Sequence, residues 1–190
     1  MVWTIQMVNM VQVALRNLYP NQLAHADKLH AAWRLSIHPY PKLGGYSQGL
    51  PPTHPNNQSG DPDGIAATNS VWNLINSYLN QFGTRKLWIT EVGVSSKKIT
   101  EQGQKDFFVD LANRVAARYA ANDKRIEGWI NWGFSDLDPG VHTEGGILPV
   151  GQSGPPEAPF FQMGVLKGND GVSPKPAATA LETIYKGIWA

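Results

Sequence analysis

The sequence predicts an α/β fold with a parallel sheet, and three observations support this prediction. Helical patterns alternate with short strand-like runs along the 190-residue chain, which is typical of parallel strands joined by crossover helices. Three apolar runs have strand character, and they are centred on Ile37, Ile89 and Ile130. The hydrophobic share of 42% is enough for a single domain, residues 1–190, with a core of its own.

Residues 1–33 are predicted to form a helical lead-in. Apolar residues recur at helical spacing from Val8 to Leu18, which predicts a first helix there. Pro20 interrupts the pattern, because proline in a helix interior removes a hydrogen bond. Helical character resumes from Asn21 to Trp33, where we expect a second helix.

The first strand is predicted from Arg34 to Pro41. Leu35 and Ile37 alternate with a polar residue there, and the prolines that follow end the run. A loop rich in Gly, Pro, Asn and Ser is expected from Leu43 to Asp63, and a loop of that length is usually functional.

A helix and the second strand follow this loop. Apolar residues keep the 3.6-residue period from Ala66 to Phe82, and Gly83 suits the position after a helix end. Either Asp63 or Thr68 is the expected N-cap of this helix. The apolar run from Leu87 to Gly93 then predicts a strand that ends on a carboxylate.

The last third of the chain repeats the alternation. Thr100 is the expected cap of a helix that runs to about Ala121. A third strand is predicted from Arg125 to Phe134, with one face made of Ile126, Gly128, Ile130, Trp132 and Phe134. A loop from Ser135 to Pro159, an extended segment from Phe160 to Leu166 and a last helix opened by Ser173 and Pro174 complete the prediction.

Composition excludes several classes of protein. The net charge is +1 without a basic stripe, so no nucleic-acid partner is expected. Cys is absent, which excludes a disulfide framework and a thiolate metal site. No run is apolar enough over a sufficient length to span a membrane. Met1 to Leu15 lacks the basic start and cleavage site of a signal peptide, so the chain is expected to carry none.

No metal or other cofactor is expected. His25 and His30 are five residues apart on a predicted helix and therefore do not share a face. The segment from Asp61 to Gly64 contains a fragment of a calcium-binding loop but lacks the later ligands. We interpret it as the capped start of a helix.

The three predicted strands end in chemically useful side chains. His38 and Tyr40 end the first strand, Glu91 ends the second, and Trp132 and Asp136 follow the third. Glu91 alone would also suit an ordinary surface position. In a (β/α)8 barrel, however, neighbouring strand ends share one pocket. A phenol orients a carboxylate and a Trp offers a flat floor to a sugar ring, so the set indicates half of a retaining glycosidase site.

Four segments carry a resemblance to a known group of enzymes, the clan A glycoside hydrolases. Ile89–Gly93 resembles their seventh, nucleophile-bearing strand, and Ser36–Pro41 resembles their sixth with its His-x-Tyr pattern. Trp129–Asp136 resembles the eighth strand, where a Trp lies under the sugar. Phe161–Leu166 and then Ser173–Ala178 resemble the closing segment and final helix. Families 5 and 39, which include cellulases and xylosidases, are the most similar.

The resemblance implies that residues 34–190 form strands six to eight of a TIM (β/α)8 barrel with the final helix. It implies a retaining hydrolase of β-linked oligo- or polysaccharides. The expected roles belong to Glu91 as nucleophile, Tyr40 as its catalytic hydrogen-bond partner, His38 as a pocket residue and Trp132 as the sugar platform. Asp136 and Asp138 are expected either to contact substrate hydroxyls or, as the favoured interpretation, to cap a loop.

One departure from the clan is important for activity. Its acid/base is a Glu after an Asn, and this chain contains no Asn-Glu dipeptide. Of the other glutamates, only Glu144 or Glu157, in the long loop, is placed to reach the pocket, and this substitution is the disfavoured interpretation. The chain is therefore expected to lack the acid/base half and to be weak or inactive alone. The alternative is a non-catalytic carbohydrate-binding or half-barrel pairing module that self-associates through open barrel edges. The resemblance favours an extracellular or periplasmic location.

Overall fold

The structure is a computed structural model, and it describes residues 2–41, 64–133, 136, 142–143, 146–147, 164–167 and 173–188. The elements within these residues are, in chain order, α1 (Val2–Leu18), α2 (Leu23–Ala32), β1 (Leu35–Ile37), α3 (Gly64–Gln81), β2 (Leu87–Val92), α4 (Ser96–Ala120), β3 (Ile126–Asn131), β4 (His142–Thr143), β5 (Gly146–Ile147) and α5 (Pro176–Ile188). No helix in this part of the chain combines the length and apolar character needed to cross a bilayer.

The main sheet has three parallel strands in the order β1–β2–β3. Leu35 pairs with Leu87 and Ile37 pairs with Ile89, so the first two strands run in register. β3 pairs in parallel with the other side of β2. Helix α3 connects the first two strands and α4 connects the next two, as crossover connections require. The predicted α/β fold with parallel strands is therefore confirmed, as a small open sheet.

Helices cover one face of this sheet. The shared core contains strand residues Leu35, Ile37, Leu87, Ile89, Ile126 and Trp129 and helix residues Val71, Ile75, Phe107, Phe108, Leu111, Val115 and Leu181. The helix predicted after the second strand is thus confirmed, and its apolar residues belong to this core. Each large side chain in this core contributes about 1.5–3 kcal/mol by its burial. On the opposite face, Ser36, Trp88 and Ile130 are exposed among the described residues.

Two helices meet through glycine at the start of α3. A Cβ built on Gly64 would lie 2.1 Å from the carbonyl oxygen of Gly103 in α4, so only glycine permits this approach. Thr68 is buried beside this contact, and its hydroxyl donates to the carbonyl oxygens of Gly64 and Phe107. Thr68 as the N-cap of the helix is therefore wrong, because it belongs to the second turn. Asp63 lies outside the described residues.

The predicted face of the third strand is wrong at the first residue of the strand, Ile126. The prediction put Ile126 on one face with Gly128 and Ile130, yet Ile126 is buried in the core and Ile130 is 52% exposed. The pairing with β2 skips Glu127, which is an extra residue relative to its partner strand. One extra residue reverses the face of every side chain that follows it.

Other predicted bounds differ in detail. The first helix begins at Val2 rather than Val8. The last helix begins with Pro176 rather than Pro174 at its first position, because Pro174 instead forms an isolated bridge with Leu166. The loop predicted after Ser135 contains the short antiparallel hairpin β4–β5.

The predicted helix signals at Gly83 and Thr100 are confirmed. Gly83 has a φ of +58°, as expected after a helix end. Thr100 has a φ of 70°, and its hydroxyl oxygen accepts a 3.1 Å hydrogen bond from the amide of Gly103. Thr100 therefore separates a first turn of α4 from its main body. A positive φ is costly for a β-branched residue, and the capping hydrogen bond offsets part of that cost.

Candidate functional site

Glu91 is the second-last residue of β2. At this end of the strand, side chains stop alternating between the two faces of the sheet. Strict alternation would place Glu91 with Ile89 on the helix-covered side and Val92 on the open side. Instead Val92 is fully buried in the core and the Glu91 side chain is 31% exposed. The register against β3 shifts between Ile89 and Val92, and this irregularity explains the exposed carboxylate.

Two side chains from the segment after β1 converge on one oxygen of Glu91. The hydroxyl of Tyr40 donates a 2.9 Å hydrogen bond to Oε2 of Glu91. Nδ1 of His38 lies 3.4 Å from the same Oε2. Because β1 and β2 are adjacent and parallel, their carboxyl ends bring these residues together across 51 positions of sequence. The structure thus places three of the predicted site residues in one cluster.

Tyr40 is a permanent hydrogen-bond donor in this cluster. Burial, and then the hydrogen bond to Glu91, raise the pKa of Tyr40 far above its ordinary value. The phenol therefore keeps its proton over the whole physiological range. A neutral phenol that points at a carboxylate fixes the orientation of that carboxylate without adding charge.

Trp132 follows β3 at the same end of the sheet. Its backbone amide donates a 2.8 Å hydrogen bond to the carbonyl of Val92, the residue after Glu91. Its side chain remains 40% exposed. An exposed indole offers an apolar surface on which a flat ligand can stack.

Asp136 lies in a different set of contacts from Glu91. Its Oδ1 is 2.6 Å from Nζ of Lys175, and its backbone amide donates to the carbonyl of Leu166. Of the two roles expected for Asp136, these contacts favour fixing a loop. A contact of Asp136 with substrate stays a prediction, and Asp138 lies outside the described residues.

Sequence reasoning missed Lys175 and Ser96. Lys175 is only 2% exposed, and its Nζ donates to the hydroxyl of Ser96 at 2.9 Å as well as to Asp136. The only sequence signal was a lysine between two prolines, Pro174 and Pro176, just before the last helix. That signal does not reveal a buried lysine, because the partners come from distant parts of the chain.

The other described glutamates lie away from Glu91. Glu127 is the second residue of β3, at the opposite end of the sheet, where Arg34 binds it at 2.9 Å and Trp88 donates to it at 3.0 Å. The Arg34 guanidinium lowers the pKa of Glu127. Glu101 pairs with Lys167, and Glu182 pairs with its neighbour one turn along α5. Glu144 and Glu157, the disfavoured substitutes for the acid/base, are outside the described residues.

A cavity of about 380 Å³ runs along β1, lined by Arg34 to His38 and walled by Met7, Leu74 and Tyr78. It lies beside the edge strand β1, and His38 is among its lining residues. Within the part of the chain that the structure describes, no group of three or more His, Asp and Glu side chains is arranged to hold a metal ion.

No family model matches this chain, and no curated protein sequence matches it significantly.

Proposed function

We propose that this chain forms the nucleophile side of a retaining β-glycosidase site, with Glu91 as the nucleophile. The observation that carries the proposal is the cluster around Oε2 of Glu91, which Tyr40 and His38 approach at 2.9 and 3.4 Å. The cluster lies at the carboxyl end of parallel strands, where such enzymes bind substrate. The exposed Trp132 beside it supplies a surface for a sugar ring.

The proposed reaction has two displacements at the anomeric carbon. An oxygen of Glu91 forms a bond to that carbon while the bond to the leaving oxygen breaks, and a general acid gives that oxygen a proton. Water then attacks the same carbon, loses a proton to the same acid/base group and releases Glu91. Tyr40 holds the carboxylate in line for the first step, and the Trp132 ring supports the sugar.

We further propose that β1, β2 and β3 correspond to strands six, seven and eight of a (β/α)8 barrel. Parallel order, crossover helices on one face and polar groups at the carboxyl ends support this assignment. The face that would line a barrel interior carries Ser36 and Thr90, whose hydroxyls lie 2.6 Å apart. It also carries Trp88, whose ring carbons lie 3.3–3.6 Å from the position that a Cβ on Gly128 would occupy.

The second carboxyl group of the reaction requires another source. Retention requires two carboxyl groups about 5–5.5 Å apart. Glu101, Glu127 and Glu182 are paired elsewhere, so we propose that the acid/base comes from residues beyond the described ones or from another chain. Loss of general-acid help costs about 10²- to 10⁴-fold in rate. We therefore expect weak activity on natural glycosides and faster reaction with leaving groups that need no proton.

The test uses dinitrophenyl 2-deoxy-2-fluoro-β-glycosides of several sugars, which react with a nucleophile and need little acid help. We expect a burst of dinitrophenolate close to one equivalent per chain with the matching sugar. Glu91→Gln should release none, because the amide is not a nucleophile. A folded wild-type chain that gives no burst with any sugar would contradict the proposal.

A second candidate is a non-catalytic module that binds glycan or pairs with another half-barrel. The observation that favours it is the open sheet face, where Trp88 is 40% and Ile130 is 52% exposed. Sedimentation equilibrium separates the candidates. The module is favoured if the chain self-associates and Ile130→Thr weakens that association. It must also bind glycan without a burst of dinitrophenolate.

A further inference from the structure

A buried ammonium group contacts two segments of the candidate site. One segment follows Trp132 and contains Asp136, and the other follows Glu91 and contains Ser96. Nζ of Lys175 lies 2.6 Å from Oδ1 of Asp136 and 2.9 Å from Oγ of Ser96. The same atom therefore contacts the segment that follows β2, the strand of Glu91, and the segment that follows β3 and begins with Trp132.

The surroundings keep Lys175 in this position. Its own amide donates to the carbonyl of Val165, and α5 begins at the next residue. Asp136 is fixed on the other side by its amide, which donates to Leu166. Lys175 is 2% and Asp136 14% exposed in their side chains, so water competes little for the pair. A lysine chain held at both its backbone and its head is a rigid connection.

We propose that Lys175 is a positioning residue of the candidate site, which fixes the Trp132 segment against the Glu91 segment through Asp136 and Ser96. This inference rests on the proposed function, because it assumes that Trp132 and Glu91 act in the same reaction. Lys175 is assigned this role because its head group contacts Asp136 on one segment and Ser96 on the other.

The central measurement is hydrogen exchange at the Trp132 amide, which bonds to the carbonyl of Val92 across the two segments. The test variant is Lys175→Met with Asp136→Leu in the full chain. This pair of changes removes both charges together, because a single change would leave a buried charge without its partner. We expect exchange at Trp132 to become at least tenfold faster, with exchange at Val71 in the α3 core changed less than twofold.

A matched control removes another ion pair of α5. Lys186→Met with Glu182→Leu deletes an exposed pair on the same helix and should leave the Trp132 amide unchanged. Ser96→Ala removes only the hydroxyl contact and should accelerate the same amide about threefold. If the double variant fails to fold, Ser96→Ala alone tests whether the contacts of Lys175 hold the Trp132 segment in place. Unchanged exchange at Trp132 in a folded Lys175 variant, or in Ser96→Ala, would overturn the proposal.

The rate of Glu91 labelling separates a positioning role from a purely structural one. In the folded Lys175→Met, Asp136→Leu variant, we expect the labelling rate at saturating fluoroglycoside to fall at least tenfold. A structural role alone would lower the unfolding midpoint and leave this saturated rate unchanged. If the wild-type chain is never labelled while Trp132 still depends on Lys175, the proposed function fails and the connection between the segments stands.

Discussion

The hydroxyl of Tyr40 donates a 2.9 Å hydrogen bond to Oε2 of Glu91, across the carboxyl ends of two neighbouring parallel strands. Burial and this hydrogen bond keep the phenol protonated, so it presents one fixed donor to the carboxylate. The consequence is a carboxylate with a defined orientation at the open end of the sheet. Orientation of this kind is what a nucleophile needs for in-line attack.

Removal of the Tyr40 hydroxyl should slow the labelling of Glu91 by activated fluoroglycosides. A hydrogen bond to a charged group contributes roughly 1.5–3 kcal/mol, which corresponds to about a 10- to 100-fold lower rate for Tyr40→Phe. Tyr78→Phe is the control, because Tyr78 is half-buried and stacks on Phe82 away from Glu91. Equal labelling rates for wild type and Tyr40→Phe would show that this bond does not orient the carboxylate.

The same residue should make folding sensitive to alkaline pH. The pKa of Tyr40 is higher in the folded than in the unfolded chain, so its contribution to stability is complete below about pH 10 and is lost above it. Between about pH 10 and 11.5, we expect the unfolding midpoint of wild type to fall more steeply than that of Tyr40→Phe. Burial also raises the pKa of Tyr185 to about 12. Tyr185→Phe should therefore also flatten the decline of the unfolding midpoint with rising pH. Parallel profiles would refute this linkage.

Asp123 should govern acid stability. It lies between Arg125 and Arg118 in the turn before β3, and these guanidinium groups hold its pKa well below the ordinary value. Its contribution is therefore complete above about pH 4 and is lost as the pH falls below that.

For Asp123→Asn we expect a loss on the order of 1–3 kcal/mol in unfolding free energy at pH 7. The same variant should show a flatter decline than wild type between about pH 5 and 2. Asp110→Asn is the control, since it removes only a pair one turn apart on α4 with Arg114. If Asp123→Asn is as stable as wild type at pH 7, the ion pairs of Asp123 with Arg118 and Arg125 do not stabilise the fold.

Gly64→Ala should destabilise the contact between α3 and α4. The new Cβ would lie 2.1 Å from a backbone carbonyl oxygen of α4, so one helix must move, at a cost of about 1–3 kcal/mol. Gly187→Ala in α5 is the matched control, because a Cβ there meets nothing within 4 Å and favours the helix. Urea unfolding measures both changes. A neutral Gly64→Ala would mean that the two helices are free to separate.

The sequence was informative where a signal is local. Helix α3 follows from its apolar period and from Gly83, and the position of Glu91 at the end of an apolar strand was readable in the same way. Long-range geometry was not readable. The extra residue Glu127 reversed a face because register depends on the partner strand. The burial of Lys175 depends on Asp136 and Ser96, which are 39 and 79 positions away in sequence.

The most direct test of the central claim is to locate the covalent sugar after reaction with the fluoroglycoside that gives the largest burst. Proteolysis and tandem mass spectrometry of the labelled chain identify the modified side chain. We predict an ester on Glu91, in the peptide that contains Trp88 to Val92, and no such ester in Glu91→Gln. An adduct on another residue, or a folded chain without any adduct across the whole sugar panel, would contradict the assignment of Glu91 as the nucleophile.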